Sequence, residues 1–360
     1  MKNHEELILQ YLNNNCDETD FNDLINNFKT QKVAENKNEL KLLLHLICEI
    51  ADNCHRSLNF FNKIDQILKF FENEMKQYFS NYSIFNIFKS NKRLLLFLFN
   101  EKILIPDKFI YSQIISSEYS EKKYFEYFYP EFKSFSNEEV TEFDIELFEK
   151  NRMIGENDQY ICELIRDDLI DDFIIYVNRT NYSLSMPINA SIFETNAFLL
   201  NNNPTLIEYA AFFGSIQILK YLHLNNVDIS PDLFLYIIHG NNNDLVHYIE
   251  EKAEKPKKQL IKSILIEIIK CHEKDYLNYF KDNYYNNEAN NEYFFFNKNL
   301  QYYNFYNICE SEITLKKIDL FFSFCKYDYI TLFDYLLKNE NININQKKIK
   351  RKRNISFNHL

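Results

Sequence analysis

Residues 203–230 read NPTLIEYAAFFGSIQILKYLHLNNVDIS, and this stretch decides the fold. Asn203 caps a first helix, and Pro204 sits in its first turn, where a missing N–H costs nothing. Ala210 and Ala211 are small, so another helix can approach closely. Gly214 stands where the first helix must stop. A left-handed stop favours glycine, which has no Cβ to clash. A second helix then carries Ile218, Leu219, Tyr221 and Leu222, an apolar stripe at helical spacing. Asn226 takes another left-handed position, which Asn tolerates better than most residues. Residues 227–230 leave as an extended turn.

The same plan recurs on both sides. Pro231 to Lys252 has Asn241 in the glycine slot, 27 residues after Gly214. Leu245, Val246, Tyr248 and Ile249 mark its second helix. Ile237 and Ile238 replace the alanine pair, so that junction is expected to be wider. Gln259 to Phe280 is a third copy with His272 in the slot. Leu320 to Asn345 is a fourth, with Asp328 in the slot. Between them lies room for a degenerate copy around Phe294 to Cys309. Upstream, Ile161 to Ser185 reads as an earlier copy with Asp168 in the slot and Leu164, Phe173 and Tyr176 as apolar markers. Tandem recurrence of this kind is the signature of stacked helical repeats.

Residues 203–230 resemble the ankyrin consensus. Thr205 falls on its starting Thr, Ile207 on the Leu, Ala210 and Ala211 on the Ala pair and Gly214 on the Gly. Ile218 and Leu219 fall on the Ile-Val pair, and Asn226 to Ser230 on the exit. Leu206 replaces the consensus Pro, Glu208 and Ser215 its two His residues, and Asn226 its exit Gly. Loss of the His residues puts in question the hydrogen bonds that tie turn to helices. The repeat-defining positions are Thr205, Ala210, Ala211, Gly214, Leu219, Leu222 and Asn226. The resemblance implies an all-α chain: a helical N-terminal domain over 1–150, divergent ankyrin repeats forming a solenoid over 151–345, and a basic tail over 346–360. It is similar in layout to the expanded ankyrin families of protists. The usual period of such repeats is about 33 residues, so this copy is compressed. The implied function is non-catalytic binding of a protein partner along the concave side. First helices and turns would form that side, with exposed Tyr and Phe as anchors.

Composition agrees with helices. The chain of 360 residues has three Gly and six Pro, too few breakers for an all-β fold. At 46% hydrophobic residues it can bury a sizeable core, much of it from 34 Phe and 26 Tyr. The net charge is −11 although residues 346–360 hold a basic cluster, so the body is more acidic still and repels phosphate backbones. Nucleic acid is therefore expected only at the tail. Seven scattered cysteines without a CxxC, and no apolar leader, point to a reducing intracellular compartment, cytoplasmic or nuclear. No apolar run approaches the roughly 18 residues of a spanning helix.

Before position 150 helical patterns cover Glu39 to Ile50, Leu58 to Tyr78 and Ile84 to Phe99. In the second, Phe61, Ile64, Ile67, Leu68 and Phe71 share a face. This region is expected to cap the first repeat. Chemistry is sparse. Asp168, Asp171 and Asp172 would share a face only on an unbroken helix, and such acid runs are ordinarily solvated. Cys54-His55 and Cys271-His272 resemble zinc half-sites, but neither has a second pair at ligand spacing. His239 and His247 flank the second copy's turn. Gly155, Gly214 and Gly240 are too dispersed for a phosphate loop. No catalytic, cofactor or metal site is expected. Lys350, Arg351, Lys352 and Arg353 suit a nuclear-import signal or a contact with RNA, the basis of a rival reading as a regulatory subunit of nuclear or RNA-bound machinery. A second rival, an enzyme, requires a polar cleft within residues 1–150.

Overall fold

The computed structural model describes residues 1–13, 18–56, 59–116, 123–136, 144–285, 292–310, 317–327 and 329–339. Among them the chain is helical, with no strand beyond an isolated bridge between Pro187 and Thr205. No helix among them is long and apolar enough to cross a membrane. Two compact units form, Met1–Ser311 and Glu312–Leu360.

The first unit begins with α1 (Lys2–Asn13), α2 (Glu18–Thr30), α3 (Lys37–Asn53), α4 (Phe60–Phe70), α5 (Glu72–Tyr78), α6 (Asn81–Phe88), α7 (Lys92–Asn100), α8 (Lys108–Ile114), α9 (Tyr124–Tyr127), α10 (Tyr129–Phe132) and α11 (Ile145–Ile154). It continues with α12 (Tyr160–Arg166), α13 (Ile170–Thr180), α14 (Ala197–Asn202), α15 (Leu206–Phe213), α16 (Ile216–Leu224), α17 (Leu233–Gly240), α18 (Asn243–Lys252), α19 (Lys258–Lys270), α20 (Lys274–Tyr284), α21 (Glu292–Gln301) and α22 (Phe305–Glu310). Local caps explain the divisions. The Ile84 to Phe99 pattern is two helices because the Asn91 side chain accepts the Leu94 N–H at 3.0 Å and starts α7 there. The Leu58 to Tyr78 pattern breaks at Phe71, whose N–H turns back to the Leu68 carbonyl. Its expected face is buried: Phe61, Ile64, Ile67, Leu68 and Phe71 are at most 8% exposed. Leu58 lies outside the described residues.

From α12 to α22, α14 apart, the helices come in pairs, each broken by one left-handed residue. The breaks are Asp168 (φ 49°), Gly214 (φ 75°), Asn241 (φ 44°), His272 (φ 58°) and Tyr303 (φ 53°). The partners within each pair pack on one another. First helices α12, α15, α17, α19 and α21 pack each on the next, and second helices α13 and α16 also touch. One apolar core runs through the row. Ala210, Ala211, Leu219 and Leu222 lie at its centre with no exposed surface. Asn226 is left-handed at φ 65°.

The tightest junction is between α15 and α17. A Cβ on Gly214 would lie 2.5 Å from the Gly240 carbonyl oxygen. A Cβ on Gly240 would lie 2.7 Å from the Ala211 oxygen. Gly240, which has no place in a phosphate loop, is a close-approach residue of this junction.

Asn203 does not cap α15. It closes α14 in a left-handed conformation (φ 51°), and Thr205 occupies the cap position of α15. The Glu208 carboxylate accepts from both the Thr205 N–H and its hydroxyl, each at 2.8 Å. Both Asn203 and Thr205 are cap-forming types, and the short helix just upstream claims the first.

The second unit contains α23 (Lys317–Lys326) and α24 (Ile330–Asn339), packed as a pair with the Phe321 and Phe333 rings 5.0 Å apart. Asp328, the exit to Asn345 and the basic tail with Lys350, Arg351, Lys352 and Arg353 lie outside the described residues.

Candidate functional site

Polar side chains at the pair breaks tie one pair to the next. The Ser215 hydroxyl donates to the Ile165 carbonyl. The Asn242 amide donates to the Gly214 carbonyl at 2.9 Å, and the Asn304 amide to the Ile269 carbonyl at 3.0 Å. Each of these residues directly follows a left-handed break, so the break aims it backward. Asp168 adds a cap across pairs: its carboxylate accepts the Gln217 and Ile218 N–H groups at 3.1 and 3.0 Å, at the start of α16. The helix does break at Asp168, so the face shared with Asp171 and Asp172 does not exist. Ser215 and Glu208 supply hydrogen bonds at the two positions where the consensus His residues are lost.

The face formed by these first-helix ends is covered by the chain's own N-terminal region. That region reaches beyond the first pair that it is expected to cap. Helix α1 packs on α22, and α3 packs on α14 and α19. Residues on both sides of position 150 therefore share one compact unit, with α7 also against α11.

The cover is built around the end of α3. After Asn53 the backbone turns extended at Cys54 (φ −76°, ψ 159°), and residues 52–56 run as a strap over successive helix ends. The Asp52 carbonyl accepts from the Asn196 amide at 3.1 Å. The Asn53 carbonyl accepts from His239 Nδ1 at 3.0 Å, and His55 Nδ1 donates to the His239 carbonyl at 3.0 Å. The Cys54 thiol donates to the Cys271 carbonyl at 3.1 Å. Arg56 donates to the Glu156 carboxylate at 2.7 Å, the Gly155 carbonyl at 3.3 Å and the Thr195 hydroxyl at 3.2 Å. Its guanidinium also lies over the Phe61 ring, 4.8 Å from the centroid.

The other end of the cover is held by α1. Glu5 is 1% exposed. One carboxylate oxygen meets His272 Nδ1 at 2.5 Å; the other accepts the Tyr306 N–H at 2.9 Å, at the start of α22. His45 of α3 stacks on Tyr303 at 5.0 Å between centroids. The breaks of the third and the degenerate pair are thus covered by the N-terminal helices.

Two sequence features meet here. Cys54-His55 and Cys271-His272 come together across the strap, but their side chains diverge: thiol to carbonyl, His55 to His239, His272 to Glu5. No group of three His, Cys, Asp or Glu among the described residues could hold a metal ion. Cys271 Sγ lies 3.4 Å from His239 Nδ1, and His239 Nε2 lies 3.2 Å from Glu267. The order thiol, imidazole, carboxylate is that of a nucleophilic triad. Its environment is not. Cys271 and His239 are 1% exposed, and burial raises the Cys271 thiol well above its ordinary range, with Glu267 adding to the effect. A thiolate does not form under those conditions. Burial acts to raise Glu267, but His239 and Lys270 together outweigh it and hold the carboxyl below its usual value. His247, by contrast, is on the surface beside Glu250.

A cavity of about 70 Å³ lies beside this seam, lined by Asn157, Ile188, Ser191, Glu194, Leu199 and Tyr209 among others. That is space for a few waters.

Most first-helix aromatics are not the exposed anchors expected: Tyr209, Phe212, Phe234 and Tyr236 are at most 5% exposed, whereas Tyr160 at the start of α12 is 51% exposed. Exposed apolar side chains of the row include Ile175 at 49%, Met186 at 57% and Leu224 at 80% on second helices and the loops that leave them, besides Tyr160 and Leu169 in the first pair. Sequence patterns mark such positions as apolar but do not say which are left uncovered. No protein-family model, no curated protein and no solved structure matches the chain.

Proposed function

We propose that the chain is a non-catalytic protein-binding scaffold of divergent ankyrin type, with its docking surface on the second helices and exit loops. The observation that carries this reading is the row of first helices packed pair on pair, each pair broken at one left-handed residue. Such a row has little room for chemistry and much surface for recognition. The inner side is covered by α1, α3 and residues 52–56, so a partner meets Ile175, Met186 and Leu224 instead. Apolar side chains of this size, rimmed by polar residues, are what interface cores are made of. The burial of Cys271, His239 and Glu267 speaks against their use as a catalytic triad.

The test is affinity capture with the full chain and with the double variant Met186→Asp, Leu224→Asp. A partner enriched by the wild type and lost from the variant, with unchanged unfolding, supports the reading. A partner retained by the variant overturns this placement of the surface.

A further inference from the structure

The strap is fastened at Arg56 by an unbalanced arrangement. Arg56 Nη1 lies 2.7 Å from Glu156 Oε1 and 3.9 Å from Glu194 Oε1, so two carboxylates share one guanidinium. The side chains are 5% (Arg56), 11% (Glu156) and 6% (Glu194) exposed. Oε2 of Glu156 and Oε2 of Glu194 are buried and accept no hydrogen bond, and Arg56 Nε donates none. Glu194 Oε1 is already engaged by the Thr195 and Asn196 N–H groups at 2.9 and 2.8 Å. Other groups face the site without filling the gap. Lys92 of α7 donates to the Ile192 carbonyl, Arg166 of α12 to the Asn157 carbonyl and Tyr209, and Asp52 accepts from Asn91. Cys162 of α12 and Tyr209 of α15 are further titratable neighbours, and burial raises both; Arg93 of α7 lies over the same Phe61 ring as Arg56, and Asp158 accepts from Ser191.

We propose that the Glu156–Glu194 pair is a proton-binding clasp: one proton on the pair holds the 52–56 strap seated on the inner face, and its release loosens the strap. The bound proton supplies a donor where two buried carboxylate oxygens have none, and it removes the repulsion between them. Burial and then Glu156 push the Glu194 carboxyl up to about 7, with Arg56 acting in the opposite sense. The sign follows from linkage. A carboxyl raised by folding binds its proton more tightly in the closed state. Its contribution is complete below its unfolded value and is lost as pH rises through about 7. The strap is therefore tightest in mild acid. The consequence, that the inner face becomes available to a partner above neutral pH, rests on the scaffold reading; the proton linkage does not.

The experiment is amide hydrogen exchange on the full chain at pH 6 and pH 8, corrected for intrinsic rates, read at residues 50–56 and 194–196. No partner is needed, so a failure of the scaffold reading leaves the measurement intact. Protection there is expected to fall about tenfold from pH 6 to pH 8, the factor set by one carboxyl moved this far. Glu49 and Glu273 at the same seam, and His55, also titrate. The decisive quantity is therefore the difference between wild type and Glu194→Gln, which keeps Oε1 for the two N–H groups and cannot ionise. The variant is expected to retain at pH 8 the protection that the wild type has at pH 6. An equal pH dependence in both proteins overturns the proposal. So does a wild-type strap whose protection is level or rises with pH, a result that needs no variant.

Discussion

Replacing Gly240 with alanine tests the packing of the helix row through the sign of its effect. Gly240 ends α17 with ordinary helical geometry, and glycine in a helix is typically about 1 kcal/mol worse than alanine. Local propensity alone therefore predicts stabilisation. The tertiary structure predicts the reverse. The new Cβ would lie 2.7 Å from the Ala211 oxygen, 2.8 Å from the Gly214 nitrogen and 2.9 Å from the Gly214 Cα. All three are main-chain atoms, so no rotamer change relieves them. Relief requires α15 and α17 to move apart by about half an ångström, which opens gaps around Ala210, Ala211, Ile237 and Ile238, all at most 1% exposed. Overpacking of this kind costs about 1–3 kcal/mol, enough to outweigh the propensity gain. Less the propensity gain, a net loss of up to about 2 kcal/mol is expected as a lower urea midpoint with unchanged slope, followed by far-ultraviolet circular dichroism. Exchange protection in α15 should fall in parallel. A midpoint equal to or above that of the wild type would refute the close packing of these two helices.

Two further perturbations probe the links between elements. Asp168→Ala removes the cap that one pair provides to the second helix of the next, and it should cost about 1 kcal/mol by urea titration, with faster exchange at Gln217 and Ile218. An unchanged exchange rate at those two amides would show that the cap is idle. Glu5→Ala leaves His272 and the Tyr306 N–H without their shared carboxylate, and should cost about 3 kcal/mol as a broken buried pair. Limited proteolysis should then release α1 first; a cleavage pattern identical to wild type would contradict its role as the far end of the cover.

Much of the local structure was legible before any coordinates. Helices were visible because the chain has few breakers and its apolar residues recur at helical spacing. The breaks at Asp168, Gly214, Asn241 and His272 were visible because each stands between two apolar stripes, and at Gly214 the residue type itself admits a left-handed backbone; the break at Tyr303 was not. Other features could be found only partly. Asn203 and Thr205 are both competent caps, and the choice between them depends on the upstream helix α14, a short segment with a weak pattern. Ser215, Asn242 and Asn304 look like ordinary turn residues; their role needs the carbonyl of a neighbouring pair to be in reach.

The sequence by itself determined that the chain is helical and where most of the pairs turn, because propensity, capping and apolar periodicity act over a few residues. Only the tertiary structure decided that residues 52–56 and α1 lie across the helix ends, since these contacts join positions 53 and 239, 54 and 271, or 5 and 272. Each single contact joins a side chain to a distant carbonyl or carboxylate, and neither residue carries a local signal of its partner. The helix row supplies the carbonyls, imidazoles and carboxylates in register, and the N-terminal region is selected by matching all of them at once.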